Sequence, residues 1–177
     1  MNKILVLAAH RYPDKSRISK AAIEAFTGLA DVTVHQLTHA YPDFQIDVEH
    51  EQNLLRNHDT VILLFPFWWY SSPAILKEWQ DQVLTYGFAY GSDGKVLHGK
   101  KMMVMTSTGG SAQAYTPEGY NQYAVDALLL PFHAMANKTG MLWQPPALVQ
   151  GMNDATDALI DNGVNYWLER LQELRGM

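Results

Sequence analysis

The sequence predicts an α/β protein in which helices cover both faces of a parallel β-sheet. Two observations support this fold class. Short apolar runs alternate along the chain with segments of helical period, which is the order of βαβ units. Two of the runs, residues 4–9 (ILVLAA) and 60–65 (TVILLF), are almost entirely apolar, and such a pattern is typical of strands buried on both faces of a parallel sheet.

The predicted elements follow one another with no linker, repeat or low-complexity segment between them. Strands are predicted, in order, at residues 4–9, 32–37, 60–65, 102–106 and 141–149. Pro145 and Pro146 remove backbone donors from the last strand, which predicts an edge or bulged strand. Helices are predicted at residues 16–29, 48–57, 73–83, 120–137 (broken at Pro131) and 153–174, with Ser72 and Asn153 as N-terminal caps.

A chain of 177 residues is expected to form a single domain, residues 1–177, because domains commonly hold about 100–200 residues. For a parallel α/β chain this short, the expected architecture is a three-layer sandwich around a five-stranded sheet in the flavodoxin-like order 2-1-3-4-5. Ligands of such sheets bind beyond the carboxyl ends of the strands. The function should therefore depend on the loops that follow strands one, three and four.

Composition excludes several classes of function. The formal net charge is −5, so general binding to nucleic acid or to an anionic membrane is disfavoured. Cysteine is absent, which excludes a disulfide framework and a thiolate nucleophile. The longest apolar run, residues 61–70, is half as long as a membrane helix, and residues 4–9 are too few for a signal peptide. We therefore expect a soluble, cytoplasmic protein.

The loop after strand one gathers positive charge at the start of a helix. Four of the thirteen basic residues lie between positions 11 and 20: Arg11, Lys15, Arg17 and Lys20. Ser16 can cap the helix, whose free backbone N–H groups suit a phosphate group. A capped helix with a solvated basic face explains the same residues equally well. No glycine-rich phosphate motif is present, which disfavours a Rossmann dinucleotide site and a P-loop.

The loop after strand three contains four consecutive aromatic residues, Phe67 to Tyr70. Consecutive side chains cannot all enter one core, so at least one is expected to contact a ligand, and a planar heteroaromatic ring would stack there. A dimer interface or an aromatic cap on the core are the alternatives.

The loop after strand four reads Thr-Ser-Thr-Gly-Gly-Ser at residues 106–111, and Tyr115 follows it. Glycine and small hydroxyl residues let backbone N–H groups approach a ligand closely. An ordinary turn would have the same composition. Taken together, a phosphate site, an aromatic platform and a set of backbone donors fit flavin mononucleotide (FMN), with FAD left open.

Longer stretches then resemble a known family. They are Ala9-His10, residues 41–47 (YPDFQID), Pro66 with Trp69-Tyr70, residues 73–79 (PAILKEW), residues 87–91 (GFAYG) and Thr108-Gly109-Gly110. These stretches resemble the flavodoxin-like NAD(P)H:quinone oxidoreductases, and within them the ancillary oxidoreductases of glutathione-regulated potassium-efflux systems. The resemblance covers residues 1 to about 145. It implies a flavin, a homodimer and two-step hydride transfer.

The resemblance and the loops together give the candidate site. The candidate cofactor-binding residues are His10, Ser16, Arg17, Ile18, Ser19, Phe67, Trp68, Trp69, Tyr70, Ser107, Thr108, Gly109, Gly110 and Tyr115. The backbone of Gly109 and Gly110 and the phenol of Tyr115 are the candidate catalytic groups, which stabilise charge on the reduced flavin. A quinone would then take the electrons in the same pocket, which predicts ping-pong kinetics. Asn121 stands where the mammalian quinone reductases have a histidine, and it cannot take up a proton.

Other readings remain open or are disfavoured. The resemblance raises a rival function, that of a regulatory subunit docked on a membrane potassium-efflux transporter, with residues 41–47 as a candidate contact. No metal site is predicted, because His50-Glu51 lacks the second histidine of H-E-x-x-H. No serine-hydrolase motif surrounds Ser71 or Ser107. The choice between NADH and NADPH stays open, as does the acceptor: a quinone, an azo dye, a nitro compound or an electrophile.

Overall fold

A computed structural model describes residues 2–176. Its centre is a parallel sheet in the order β2-β1-β3-β4-β5, with a sixth strand that also pairs with β4. The strands are β1 (Ile4–Ala8), β2 (Val32–Gln36), β3 (Thr60–Pro66), β4 (Lys101–Thr108), β5 (Leu142–Trp143) and β6 (Ala147–Gln150). The predicted strand order is thus confirmed. Every residue of β1 and β3 is buried, as their apolar sequences predict.

The strand predicted at residues 141–149 is divided in two. β5 pairs with the start of β4 at Lys101 and Met102, whereas β6 pairs with its end, from Met105 to Thr108. Pro145 and Pro146 lie between the two short strands. Because proline has no backbone donor, the ladder is interrupted there and resumes once the prolines have passed. The prediction of an edge strand disturbed by the proline pair is confirmed.

Helices cover both faces of the sheet. They are α1 (Arg17–Phe26), α2 (Leu37–Ala40), α3 (Val48–Asn57), α4 (Ala74–Val83), α5 (Val125–Leu128), α6 (Leu130–Thr139) and α7 (Asp157–Gly176). One buried cluster lies under α1 and α7 and includes Phe26 and Trp167. The opposite cluster lies under α3, α4 and α6 and includes Leu55, Trp79 and Phe132. Among the helices of residues 2–176, none is both long and apolar enough to cross a membrane.

Three predicted helix starts are corrected. Ser72 does not cap α4, since Pro73 is extended (φ −54°, ψ 147°) and the helix begins at Ala74. The helix predicted over residues 120–137 begins only at Val125 and breaks at Leu129. Pro131 lies in the first turn of α6, where a missing N–H costs nothing.

The last corrected start is that of α7. Asn153 belongs to a short 3₁₀ turn, Met152–Asp154, and α7 begins later, at Asp157. Thr156 does the capping instead, because its Oγ1 accepts a hydrogen bond of 3.2 Å from the Leu159 amide. Sequence alone offered several polar residues in this stretch, and only the path of the chain selects among them.

Candidate functional site

The three predicted loops meet at one edge of the sheet. In the parallel register Ala8 pairs with Leu64, and Pro66 pairs with Ser107, so the carboxyl ends of β1, β3 and β4 lie side by side. Side chains and backbone then join the loops. The rings of His10 and Trp68 are 5.0 Å apart, edge to face. The Phe67 amide donates to the Ser107 carbonyl at 2.8 Å.

The first loop presents the start of α1. Ser16 is its N-cap, with Oγ accepting a 3.1 Å hydrogen bond from the Ser19 amide, as predicted. The first amides of a helix have no carbonyl partner within the helix, so those of Arg17 and Ile18 can serve an anion. These groups lie at the same sheet edge as the ends of β3 and β4.

The side chains that follow Ser16 are directed elsewhere. The Arg17 guanidinium donates to the Ala155 carbonyl at 2.7 Å and to Asp157 Oδ1 at 2.6 Å. Ile18 lies in the core under α1, and Ser19 is buried. Arg17 and Ile18 therefore offer the site their backbone amides, whereas the Ser19 amide already donates to Ser16 Oγ. The positive charge of Arg17 joins α1 to the start of α7.

Burial favours the neutral form of His10. Its Nδ1 accepts a 2.9 Å hydrogen bond from the Tyr12 amide, and its carbonyl accepts one from Thr38 Oγ1. Burial lowers the pKa of His10, because desolvation disfavours the charged ring. With Nδ1 as acceptor, the proton of the neutral ring is on Nε2. His10 thus holds the first loop and still has a donor to offer.

The loop after β3 forms a tight turn that we call the aromatic hairpin (residues 68–71). Trp68 and Ser71 exchange two backbone hydrogen bonds, of 3.2 and 3.1 Å. The central residues, Trp69 and Tyr70, have φ values of +48° and +62°. A two-residue hairpin of this type needs positive φ at both positions and usually contains Asn-Gly. Aromatic residues there are strained by about 1–3 kcal/mol each, and such strain is common at functional sites.

The four consecutive aromatic residues separate as the sequence predicts. Phe67 is buried in the core and packs edge to face against Tyr70 and Tyr115. Trp68 is half-buried against His10. Trp69 is 92% exposed. The hairpin therefore offers an aromatic surface at the edge of the sheet while its first residue anchors it.

The loop after β4 contains a second feature, the donor turn (residues 108–110). The carbonyls of Thr108 and Gly110 both accept from the Gly151 amide, at 3.1 and 2.9 Å, and the Gly109 carbonyl accepts from the Asn153 amide at 3.0 Å. Within residues 2–176, the amides of Gly109 and Gly110 donate to no protein acceptor outside the regular ladder. The polar backbone groups left for a ligand are therefore donors.

Close packing explains the glycine at position 109. A Cβ built on Gly109 would overlap the side-chain amide of Asn153, whereas one built on Gly110 would meet Tyr115 at an ordinary 3.4 Å. The turn of residues 151–153 was missed by sequence reasoning, which assigned Asn153 to a helix cap. The sequence signal for this turn is Gly151, which follows an apolar run. In the structure Gly151 has a φ of +90°.

Tyr70, Tyr115 and Asn121 form a polar group beside the donor turn. The Tyr70 hydroxyl donates to Asn121 Oδ1 at 3.0 Å. Burial raises the pKa of Tyr115, and the neighbouring Tyr70 raises it further. Tyr115 therefore keeps its proton and remains a hydrogen-bond donor at any physiological pH. The side chain of Asn121 joins the hairpin to the segment after Tyr115.

A different polar cluster surrounds a buried carboxylate. Glu51 is fully buried and accepts hydrogen bonds from Tyr41 (2.6 Å), Trp79 (2.8 Å) and His35 (2.7 Å). Burial alone would raise the pKa of Glu51, but these hydrogen bonds outweigh it and the pKa is lowered. A ring nitrogen of His50 lies within 4.8 Å of both a His35 nitrogen and a Glu51 carboxylate oxygen. Both carboxylate oxygens already have donors, so the cluster is satisfied by the protein itself.

Fold and site together place the chain in a family. It belongs to a family of proteins with the flavodoxin-like fold, whose sequence model matches residues 2–171. A curated relative is the glutathione-regulated potassium-efflux system ancillary protein KefG of Pectobacterium carotovorum, 42% identical over 96% of this chain and 84% of the relative.

Two solved structures are similar over nearly their full lengths. General stress protein 14 of Treponema denticola, in complex with FMN, superposes with a TM-score of 0.90 at 34% identity and covers 98% of each chain. An NADPH-quinone reductase from P. pentosaceus gives a TM-score of 0.79 at 34% identity, covering 93% of this chain and 96% of that chain.

Proposed function

We propose that the protein is an FMN-dependent oxidoreductase that takes a hydride from NADH or NADPH and passes it to a quinone or another small acceptor. The donor turn carries this proposal. Its carbonyls are occupied by Gly151 and Asn153, which leaves the Gly109 and Gly110 amides as donors beside the aromatic hairpin. A reduced flavin develops negative charge at N1 and O2, and backbone donors fixed before the reaction stabilise such charge. Two similar structures support the same conclusion, since one is a complex with FMN and the other is an NADPH-quinone reductase.

The proposal assigns each loop a role. The first amides of α1, with Ser16 as cap, hold the FMN phosphate, and the aromatic hairpin flanks the ring. The proposed cofactor contacts are His10, Ser16, Arg17, Ile18, Ser19, Phe67, Trp68, Trp69, Tyr70, Ser107, Thr108, Gly109, Gly110 and Tyr115. Arg17 and Ile18 act through their backbone amides, since their side chains are engaged or buried. Ser19 contributes by donating its amide to the Ser16 cap.

FMN, when bound, supplies the hydride chemistry. The chain's own groups would orient the flavin and stabilise the negative charge that it develops on reduction. The amides of Gly109 and Gly110 would donate hydrogen bonds to the bound flavin, and Tyr115, whose pKa is raised by burial, would donate a hydrogen bond without losing its proton. Because the donor and the acceptor use one surface in turn, ping-pong kinetics follow.

The wider assignment is also part of the proposal. Residues 1–177 act as one flavin-binding domain, in the cytoplasm, as a homodimer. Exposed aromatic residues such as Trp69, Tyr120 and Tyr123 supply apolar surface of the kind that interfaces use.

Flavin retention tests the proposal. The purified protein is saturated with FMN or FAD in separate samples, free flavin is removed, and the visible spectrum is recorded before and after anaerobic addition of NADH or NADPH. We expect FMN to be retained and bleached. Retention without bleaching by either nucleotide would contradict the enzymatic function, and retention of neither flavin would contradict the cofactor site.

A regulatory subunit is the second candidate, favoured by the similarity to KefG over 96% of the chain. In that case the protein binds a potassium-efflux transporter at the inner face of the membrane, and residues 41–47 contribute to the contact. The hydrogen bond from Tyr41 to buried Glu51 would hold that segment in shape. Co-purification with a transporter, lost on substitution of exposed residues 43–45, would support it; a flavin enzyme with fast turnover and no such partner would count against it.

A further inference from the structure

A cleft opens beside the aromatic hairpin. It has a volume of about 670 Å³ and is lined by Arg11, Tyr12, Phe44, Trp68, Trp69 and Ile75, among others. Clefts of about 300–1,000 Å³ with apolar walls and a few polar groups are typical of small-molecule sites. Trp68 belongs both to this cleft and, through His10, to the loops of the proposed flavin site.

Two strained turns form the walls of the cleft. Trp69 (φ +48°) comes from the aromatic hairpin, and Phe44 (φ +64°) comes from the turn after α2. The Phe44 amide donates to the Tyr41 carbonyl at 3.1 Å, and Tyr41 is held by Glu51. Both rings are exposed, Phe44 by 40%. An aromatic molecule between them would find walls that are already in place.

Two cations lie on the ring of Tyr12, one of the residues that line the cleft. The Arg11 guanidinium and the Lys15 ammonium each lie 5.4 Å from the centre of the Tyr12 ring. Among residues 2–176, neither forms an ion pair, not even with Asp14 between them. Arg17, by contrast, is paired with Asp157. Two cations on one ring in a protein of net charge −5 make a local positive potential that attracts an anion.

We propose that this cleft binds NAD(P)H and that Arg11 and Lys15 hold its phosphate groups. The aromatic walls suit the flat rings of the dinucleotide, and the pyrophosphate supplies the negative charge that the two cations lack. This inference rests on the proposed function, because it names the site from which the hydride donor reaches the flavin. The FMN phosphate, by contrast, is assigned to the backbone amides at the start of α1.

The test compares two hydride donors on the FMN-loaded protein. NADPH and NADH carry phosphates, whereas 1-benzyl-1,4-dihydronicotinamide has the reacting ring and no phosphate. In R11A/K15A we expect the half-saturating concentration of NADPH and NADH to rise at least about tenfold, since two charged contacts to the phosphate groups are lost. The limiting rate and the reaction with the benzyl compound should not change. Lys20→Ala, which removes an exposed cation from α1, is the matched control.

A binding measurement keeps the inference testable if no reduction occurs. NADP⁺ is added stepwise to the protein at low and at high salt, and the tryptophan fluorescence is recorded to obtain the binding affinity. Wild-type protein and K20A should bind with a strong salt dependence that R11A/K15A lacks. Equal binding by R11A/K15A, or an equal loss of reaction with the benzyl compound, would overturn the inference. Failure of every donor to reduce the wild-type flavin would contradict the proposed function, while the NADP⁺ titration would still decide the site.

Discussion

The buried cluster at Glu51 and the donor turn at residues 108–110 arrange hydrogen bonds in opposite ways. Around Glu51, three donors from three parts of the chain converge on one carboxylate. In the donor turn, the carbonyls are occupied, whereas the amides of Gly109 and Gly110 donate to no acceptor in the loops of residues 2–176. A buried polar group without partners is costly, so the first arrangement stabilises the fold. The second lies at an open edge, where a ligand can complete it.

The largest effect is expected at Glu51. Glutamine has the same shape but brings an NH₂ donor against one of the three donors around it. We expect Glu51→Gln to lower the free energy of unfolding by about 3 kcal/mol and to change FMN affinity little, as measured by urea unfolding and flavin titration. Glu49→Gln, an exposed residue of the same helix, should change stability by less than about 1 kcal/mol. A similar loss in both variants would show that burial of Glu51 is not the cause.

The Glu51 contribution should depend on pH in a defined direction. The folded-state pKa is below the ordinary value of 4.5, so the folded protein releases this proton more readily than the unfolded chain does. Its stabilisation is complete above about pH 4.5 and is lost as the pH falls through the lower folded-state pKa. The stability difference between wild type and E51Q should therefore be constant near neutral pH and shrink in acid. A difference that grows in acid would contradict the lowered pKa.

The donor turn should respond in the opposite way, with binding affected more than folding. Gly109→Ala places a methyl group against the Asn153 side chain and should displace the two amides. We expect FMN affinity to fall about tenfold to hundredfold in a fluorescence titration. Asn153→Ala in the same chain removes the obstructing amide and keeps its backbone bond, so G109A/N153A should recover most of the affinity. No recovery would locate the effect elsewhere.

Relieving the backbone strain of the aromatic hairpin should raise stability and lower FMN affinity. Replacing Trp69-Tyr70 by Asn-Gly supplies residues that prefer positive φ. We expect W69N/Y70G to gain about 1 kcal/mol of stability and to lose several-fold in FMN affinity. Tyr70→Phe separates the loss of the bond to Asn121 from the loss of the ring. Equal stability and equal affinity would mean that the hairpin is neither strained nor part of the site.

The smallest effect is expected at Arg17. Its partner Asp157 is almost fully exposed, and exposed ion pairs contribute about 0–1 kcal/mol. Arg17→Ala should therefore cost at most about 1 kcal/mol and leave FMN affinity within about twofold. A large loss of FMN affinity would mean that the guanidinium leaves Asp157 to bind the phosphate.

The fold and the loops of the candidate site were accessible from the sequence, whereas the partners of individual polar groups were not. Buried parallel strands are apolar on both faces, and a proline pair interrupts a ladder, so residues 4–9, 60–65 and 145–146 predict the sheet and its divided edge. Helix starts were less certain, as Ser72 and Asn153 show, because several polar residues near each start can cap.

What the sequence by itself determined is the class of fold and the edge of the sheet at which the three loops of the candidate site meet. Only the tertiary structure decided that Arg17 is paired with Asp157 and that Gly151 and Asn153 donate to the carbonyls of the donor turn. The physical reason is distance along the chain. Periodicity and turn chemistry act between near neighbours, whereas these contacts join residues brought together only when the sheet and its helices have packed.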